Sequence, residues 1–366
     1  MVTNYNFSFG NYNSQVSITD DLPLITEIAN GELKGSSAVI ICDTNTENFA
    51  HEITAGHDKP ILVLESGESS KNWNSVEKIL SFGLNTGLGR DGFFIGIGGG
   101  VICDLTAFAA SIYMRGANLA LFSTSLLSMI DASLGGKTGI DLFGLKNMAG
   151  TFYPASFVIL PLAALDFLPE KEWKSGMAEL IKTAILDSED FFELVKKLIK
   201  LESGGRSSPE YRKCLTECLS KAVMFKGKIV AEDPKETKNK RVLLNLGHTF
   251  GHALETALGL GAISHGEAVA WGIARACELG IALGITPIER AREIIGLLLA
   301  YGFKTNAPHP MLNSYRMFRK AMKNDKKTAG GKIQFIVPSM ERVQIIEADD
   351  DTINKTINGE FSLDAL

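Results

Sequence analysis

Cysteine is scarce in this chain: five residues in 366 (Cys42, Cys103, Cys214, Cys218 and Cys277), an odd number with no CxxC pair. That pattern argues against a disulfide framework and against a cysteine-rich zinc site, and it fits reduced thiols in a cytoplasm. Tracts of lysine and arginine are missing as well. The formal net charge is −5 and the pI near 5.8, and no basic segment is interleaved with aromatics, so no nucleic-acid partner is expected. If the ligand is anionic, its cations must be gathered locally. Nor is there an unbroken apolar run of membrane-spanning length: the longest, near 117–130, is interrupted by Asn118, Ser123, Thr124, Ser125 and Ser128. The opening residues, MVTNYNFSFGNYN, lack the charged-then-apolar pattern of an export signal. The expectation is a cytoplasmic chain without a membrane partner.

What is present is ample apolar material, 45% of residues with a mean hydropathy of +0.09, enough for a large core divided between two domains. Short β-like runs at 38–42 (AVIIC), 61–64 (ILVL) and 93–97 (FFIGI) each precede a polar or glycine-rich turn. Their alternation with helical patterns predicts a parallel α/β sheet, a Rossmann-like nucleotide-binding domain over residues 1–162. Beyond it, apolar residues recur at three- and four-residue spacing, as in 189–201, 211–230, 267–283 and 287–301, which predicts a mostly α-helical domain over 163–366. The polar stretch 202–209 (ESGGRSSP) reads as an exposed loop between helices.

Several segments carry residues suited to chemistry. GIGGGVICD (96–104) follows an apolar strand and opens a helix, where glycines let a backbone approach a pyrophosphate; strict GxGxxG spacing is absent, so a plain tight turn is the competing reading. His248 and His252 stand four apart and share a face if helical, with His265 close behind, which places three of the six histidines within 18 positions and suggests metal binding. By spacing alone His248 and His252 read as a ligand pair still lacking a carboxylate. Glu179 in an apolar helical stretch is a candidate, although with Lys182 three residues on it reads by itself as a solvated ion pair. The segment 123–149 mixes Asp131, Lys137, Lys146 and Asn147 with many small residues, as ligand-presenting loops do.

Taken together the chain resembles the 3-dehydroquinate synthase family. The resemblance rests on an ordered series between about residues 43 and 338: SGESSK (66–71), GGGVICDLTAF (98–108), YMRG (113–116), STSLLSMIDASLGGKTG (123–139), LKNMAGTFY (145–153), SGMAELIK (175–182), RVLLNLGHTFGHALE (241–255) and HGEAVAWG (265–272). It implies a metal held by Glu179, His248 and His265, with His252 turned instead toward a substrate phosphate. It implies NAD contacts at Asp43, Asn45, Glu68, Lys71, Gly99, Gly100, Asp104, Thr124, Ser125 and Lys146. Implied substrate contacts are Asp131, Lys137, Asn147, Lys182, Lys226, Arg241, Asn245 and His252, a lysine of the 325–327 segment (DKK), and Arg115 reaching across a homodimer interface. Lys137, Arg241 and His252 would be the central phosphate clamps. The implied reaction is a redox-neutral lyase step on a phosphorylated sugar acid, in which NAD is regenerated and zinc, or cobalt in its place, acts as a Lewis acid.

The chain departs from the family pattern at three places. Ser123 stands where proline is common, DLFGL (141–145) replaces a segment commonly like NHPLG, and Phe167 replaces a threonine and cannot donate the hydrogen bond a threonine would. Three rival readings are a sister sugar phosphate cyclase such as 2-deoxy-scyllo-inosose synthase, a metal-dependent polyol dehydrogenase, and a catalytically silent NAD-binding regulator. Retention of Lys226, Arg241, Asn245 and His252 argues against the first, the KNM and RVLLNLGHTFGHA segments against the second, and the absence of any lost metal or lysine position against the third.

Overall fold

The computed structural model describes residues 2–21, 37–55, 59–259, 261–307, 309–310, 318–322 and 333–363; the lysines of the 325–327 segment lie outside them. The chain forms two compact units, Met1–Trp173 with Leu219–Thr237, and Lys174–Cys218 with Lys238–Leu366.

The first unit is built on a seven-stranded sheet. Strands β1 (Val2–Phe9) and β2 (Tyr12–Thr19) form an antiparallel hairpin, with Gly10 at φ +65° in the two-residue turn where a side chain would be strained. They are followed by β3 (Ala38–Asp43), α1 (Glu47–Ile53), β4 (Ile61–Leu64), α2 (Trp73–Asn85), β5 (Phe93–Gly98), α3 (Gly100–Ile112) and β6 (Asn118–Ser123). A small hairpin of β7 (Ile140–Leu142) and β8 (Leu145–Ala149) precedes β9 (Phe157–Pro161). The sheet order is β1-β2-β9-β6-β5-β3-β4, parallel except for edge strand β1. Strands β3 and β5 are buried along their whole length because helices cover both faces, which is why they read as unbroken apolar runs. The chain leaves β3 toward β4 on one side and returns to β5 on the other, so a topological switch lies between β3 and β5, the place where open α/β sheets bind ligands at the strands' carboxyl ends.

The second unit is mainly helical. It takes in most of α4 (Glu170–Asp187), α5 (Glu189–Leu201), the first part of α6 (Pro209–Glu232), α7 (His248–Leu258), α8 (His265–Ala282) and α9 (Ile288–Ala300). A hairpin of β10 (Gln334–Ser339) and β11 (Arg342–Glu347) packs with α8. The later part of α6 belongs to the first unit, where a Cβ on Gly227 would fall 2.1 Å from the Phe7 ring. Among the described residues, no helix is long and apolar enough to cross a membrane.

Candidate active site

In the first unit the residues expected at the nucleotide gather along the carboxyl edge of the sheet. Asp43 ends β3, and its Oδ1 accepts from the backbone N–H groups of Asn45 and Thr46, each at 3.0 Å. Glu68 is exposed in the short turn after β4. Gly99 caps α3 without a side-chain hydrogen bond, and the following Gly100 opens the helix. A Cβ on either glycine would meet its nearest neighbour at 3.4 Å, whereas one on Gly98 would strike Ile102 at 2.6 Å. Gly98 therefore serves helix packing, and the next two glycines leave the amides of a 13-residue helix open to an anion. This bare helix start beside the switch point suits a dinucleotide's pyrophosphate.

Lys71 is buried and bridges three elements. Its Nζ lies 2.5 Å from Asp104 Oδ2 on α3 and donates to Asn147 Oδ1 on β8 at 2.5 Å, while its carbonyl accepts from Asp141 N–H at 2.8 Å. Burial pushes the Asp104 carboxyl up to about 6 against the pull of Lys71. Burial works against the Lys71 ammonium too, but the Asp104 charge outweighs it and raises its pKa. An expected cofactor residue and an expected substrate residue, Lys71 and Asn147, are thus directly joined.

Of the three departures from the family pattern, the first has a local explanation. Ser123, in place of proline, is fully buried and donates to Ser128 Oγ at 2.6 Å, and Ser128 in turn bonds Ser125 Oγ at 2.8 Å and Ser125 N–H at 3.2 Å. The added hydroxyl braces the Thr124–Ser125 turn, whose two residues are buried. Segment 141–145 forms the β7–β8 turn, with Phe143 at φ +55° and Gly144 at φ +74°. Phe143 is 95% exposed and Phe167 78%, and Lys146 and Asn147 are exposed on the same hairpin.

Asp131 sits in a widened turn in which Ser133 N–H reaches Ser128 O five residues back, a geometry common at functional positions. Asp131 pairs with the buried Lys226, and Lys137 pairs with Glu236. Arg115 is exposed in a turn where Met114 (φ +48°), Arg115 (φ +68°) and Gly116 (φ +123°) are all left-handed. Two successive side chains in that region mark a strained turn.

In the second unit the structure brings Glu179, His248 and His265 together, one ligand atom from each lying within 4.8 Å of the others. Glu179 Oε1 is 3.6 Å from His248 Nε2 and 3.5 Å from His265 Nε2. Ligand atoms on a tetrahedral zinc with bonds near 2.05 Å are about 3.4 Å apart, close to the two distances from the carboxylate, so the three residues could hold such a cation. His252 is near, its ring 5.1 Å from that of His248, but it stands outside this trio. Glu179 and Lys182 are not a solvated pair: they are 1% and 3% exposed, with Lys182 Nζ 2.5 Å from Glu179 Oε2. Alone, the pair is indistinguishable in sequence from a surface i,i+3 bridge; burial is decided by what packs on α4.

Glycines draw the three helices together. A Cβ on Gly272 of α8 would lie 2.0 Å from Gly247 O, one on Gly251 2.9 Å from Ala268 O, and one on Gly266 2.3 Å from Ser175 Cα. The first two allow α7 against α8, and the third allows the start of α8 against α4, one turn before Glu179. His265 is held at the first position of α8 by a capping box, with Ser264 Oγ accepting from Glu267 N–H and Glu267 Oε2 accepting from Ser264 N–H. Because backbone cannot yield as a flexible side chain does, Gly272→Ala is expected to lower unfolding stability by about 3 kcal/mol or more and to weaken metal retention. Denaturant unfolding of the metal-free and metal-loaded protein measures both, and unaltered stability would show that the two helices can part freely.

Burial disfavours charge on both histidines, and for His248 the nearby Lys182 adds to it, holding the ring well below its usual range. For His265 the hydrogen bonds to Glu179 and Glu255 outweigh burial and lift it to about 9. His248 is therefore ready to ligate as neutral imidazole, while His265 must exchange its extra proton for a cation. Arg241 is buried at the start of the turn Arg241–Asn245, and Asn245 is exposed at its end, two residues before Gly247.

The 3-dehydroquinate synthase N-terminal model matches residues 61–175 and the 3-dehydroquinate synthase C-terminal model residues 176–328. The chain is 39% identical over 296 residues to a 3-dehydroquinate synthase of Colwellia psychrerythraea, covering 81% of each chain. Its fold is similar to that of a 2-deoxy-scyllo-inosose synthase solved with carbaglucose-6-phosphate, NAD+ and Co2+, with a TM-score of 0.81 and 20% identity over 97% of this chain and 99% of that one. It is similar also to a 2-epi-5-epi-valiolone synthase of Streptomyces hygroscopicus solved with NAD+ and Zn2+, with a TM-score of 0.78 and 25% identity over 93% and 94% of the two chains.

Proposed function

The chain belongs to the 3-dehydroquinate synthase family, and from that membership we propose which of its residues carry the reaction, the conversion of 3-deoxy-D-arabino-heptulosonate 7-phosphate to 3-dehydroquinate and phosphate. The observation that carries the reading is the meeting of Glu179, His248 and His265, 86 residues apart in sequence at the widest (265 − 179), at the spacing of a tetrahedral cation's ligands.

We assign the NAD site to the first unit and the cation to the second. When bound, NAD supplies a reversible hydride acceptor and the divalent cation, zinc by its ligand set, a Lewis acid. Gly99 and Gly100 present the α3 amides to the pyrophosphate, and the carboxylates of Asp43, Glu68 and Asp104 are the natural acceptors for ribose hydroxyls. Asn45, Lys71, Thr124, Ser125 and Lys146 complete that set, with Ser123 and Ser128 steadying the Thr124–Ser125 turn.

The substrate bears a phosphate and a carboxylate, and an acidic chain must meet them with fixed donors. In the second unit Arg241 and His252 face the phosphate, and Lys182 holds Glu179 while offering its remaining protons to substrate oxygens. In the first unit Lys137, Lys226, Asp131 and Asn147 are the substrate contacts. The ion pairs Lys226–Asp131 and Lys137–Glu236 orient those cations in advance, so less side-chain freedom is lost on binding. Asn245 adds a polar contact, and the strained, exposed Arg115 serves a second copy of the chain in a homodimer.

Incubating the full chain with 3-deoxy-D-arabino-heptulosonate 7-phosphate, catalytic NAD and Zn2+ tests the reading. Many equivalents of phosphate are expected per NAD, without accumulation of reduced cofactor, and a chelator should stop release until metal is restored. Reduced cofactor rising in step with product would identify a dehydrogenase instead, and activity indifferent to chelation would remove the metal from the mechanism.

A further inference from the structure

A carboxylate with no part so far in the reaction lies on the helix that carries His248 and His252. Glu255 follows at spacings of seven and three, on the same side of α7, and is only 7% exposed. Its Oε2 lies 3.5 Å from His265 Nδ1, while Nε2 of the same ring faces Glu179 Oε1, also at 3.5 Å. The ring is thus flanked at both nitrogens by carboxylates from two different helices, α7 and α4.

A neutral imidazole has one N–H and one lone pair, so a ring that gives its lone pair to a cation must place its proton on the other nitrogen and find an acceptor there. The other two ligands of the triad have such outer partners: His248 Nδ1 lies 3.2 Å from Leu246 O, and Glu179 Oε2 lies 2.5 Å from Lys182 Nζ. Building on the cation site proposed above, we propose that Glu255 is the positioning residue of the metal centre, accepting the Nδ1–H of His265 so that Nε2 is presented to the cation in one tautomer and one ring orientation.

His252, Glu255 and His265 also place ligand atoms within 4.8 Å of one another, so a second cation there is the rival explanation. With both sites filled, His265 would have to give up both ring protons. A single proton shared between Nδ1 and Glu255 satisfies the ring at less electrostatic cost.

The test is zinc affinity, measured on the chelator-stripped full chain by competition with a chromophoric chelator, alongside thermal unfolding of the metal-free forms. Wild type is expected to bind one equivalent. Glu255→Ala should weaken binding about a hundredfold and Glu255→Gln, whose amide oxygen is a poorer acceptor, about tenfold, the range seen when outer-shell partners are removed. The metal-free Glu255→Gln variant should melt with wild type, and nitrogen NMR of zinc-loaded wild type should show His265 protonated at Nδ1. Unchanged affinity in Glu255→Gln overturns the proposal even if Glu255→Ala does not fold. Two equivalents in wild type, with only one lost in Glu255→Ala, overturn it in favour of the second cation. Wild type that binds no zinc overturns this proposal and the cation site together, whereas tight wild-type binding with an indifferent Glu255 overturns this one alone.

Discussion

Glu179→Gln is expected to leave a folded chain that no longer retains a divalent cation, with turnover at saturating substrate reduced by about a thousandfold or more. Glutamine keeps the shape of the side chain but removes its charge, and a neutral amide is a poor ligand between two imidazoles. A Lewis acid at a reacting oxygen contributes several kcal/mol of transition-state stabilisation, and about 4 kcal/mol corresponds to that thousandfold. The substitution also takes the counter-charge from Lys182, which is itself 3% exposed. Breaking a buried pair in this way costs about 3–5 kcal/mol, so the variant should also unfold at lower denaturant. Metal content after gel filtration, phosphate release and urea unfolding report the three effects separately. Wild-type metal content and turnover in Glu179→Gln would remove Glu179 from the centre.

Arg241→Ala is expected to lower kcat/KM by about a thousandfold, through both a higher KM and a slower turnover, with NAD affinity within about twofold of wild type. The guanidinium is buried, and a planar fork of donors matches phosphate oxygens two at a time. Truncating one member of a buried charged contact costs about 2–5 kcal/mol or more, and about 4 kcal/mol gives the stated factor. Arg241→Lys should recover only part of the loss, because a point charge cannot reproduce the fork. Steady-state phosphate release and a separate NAD titration divide these quantities. Kinetics unchanged in Arg241→Ala would refute the assignment, and a collapse of NAD affinity would place Arg241 at the cofactor instead.

The parallel core of the first unit was open to reading because β3 and β5 are covered on both faces and, like the partly buried edge strand β4, spell apolar runs between turns. The β1–β2 hairpin was not read in advance. Its signal was there to be used: Tyr5, Phe7 and Phe9 alternate with asparagine and serine, the period of two of a strand with one face covered. The histidine cluster was visible from spacing, which singled out His248 and His252 as a pair. They share a helix face, but the group of ligand atoms that gathers around Glu179 joins His248 to His265, one helix further on. Motif resemblance named that pair and Glu179 without a geometric reason. Glu255 carried no signal apart from helical offsets of seven from His248 and three from His252.

Short-range periodicity and ordered local motifs were enough for the parallel core strands, the long helices, the glycine-rich helix start and the family, but the β1–β2 and β10–β11 hairpins were not read from them. Tertiary packing decided the rest. Whether Glu179 and Lys182 are solvated or buried, and which nitrogen of His265 faces which carboxylate, follow from the approach of α4, α7 and α8 at Gly247, Gly251, Gly266 and Gly272. Those contacts join residues far apart in the chain, and no local pattern encodes a distance between helices; only close packing of backbone against backbone sets it.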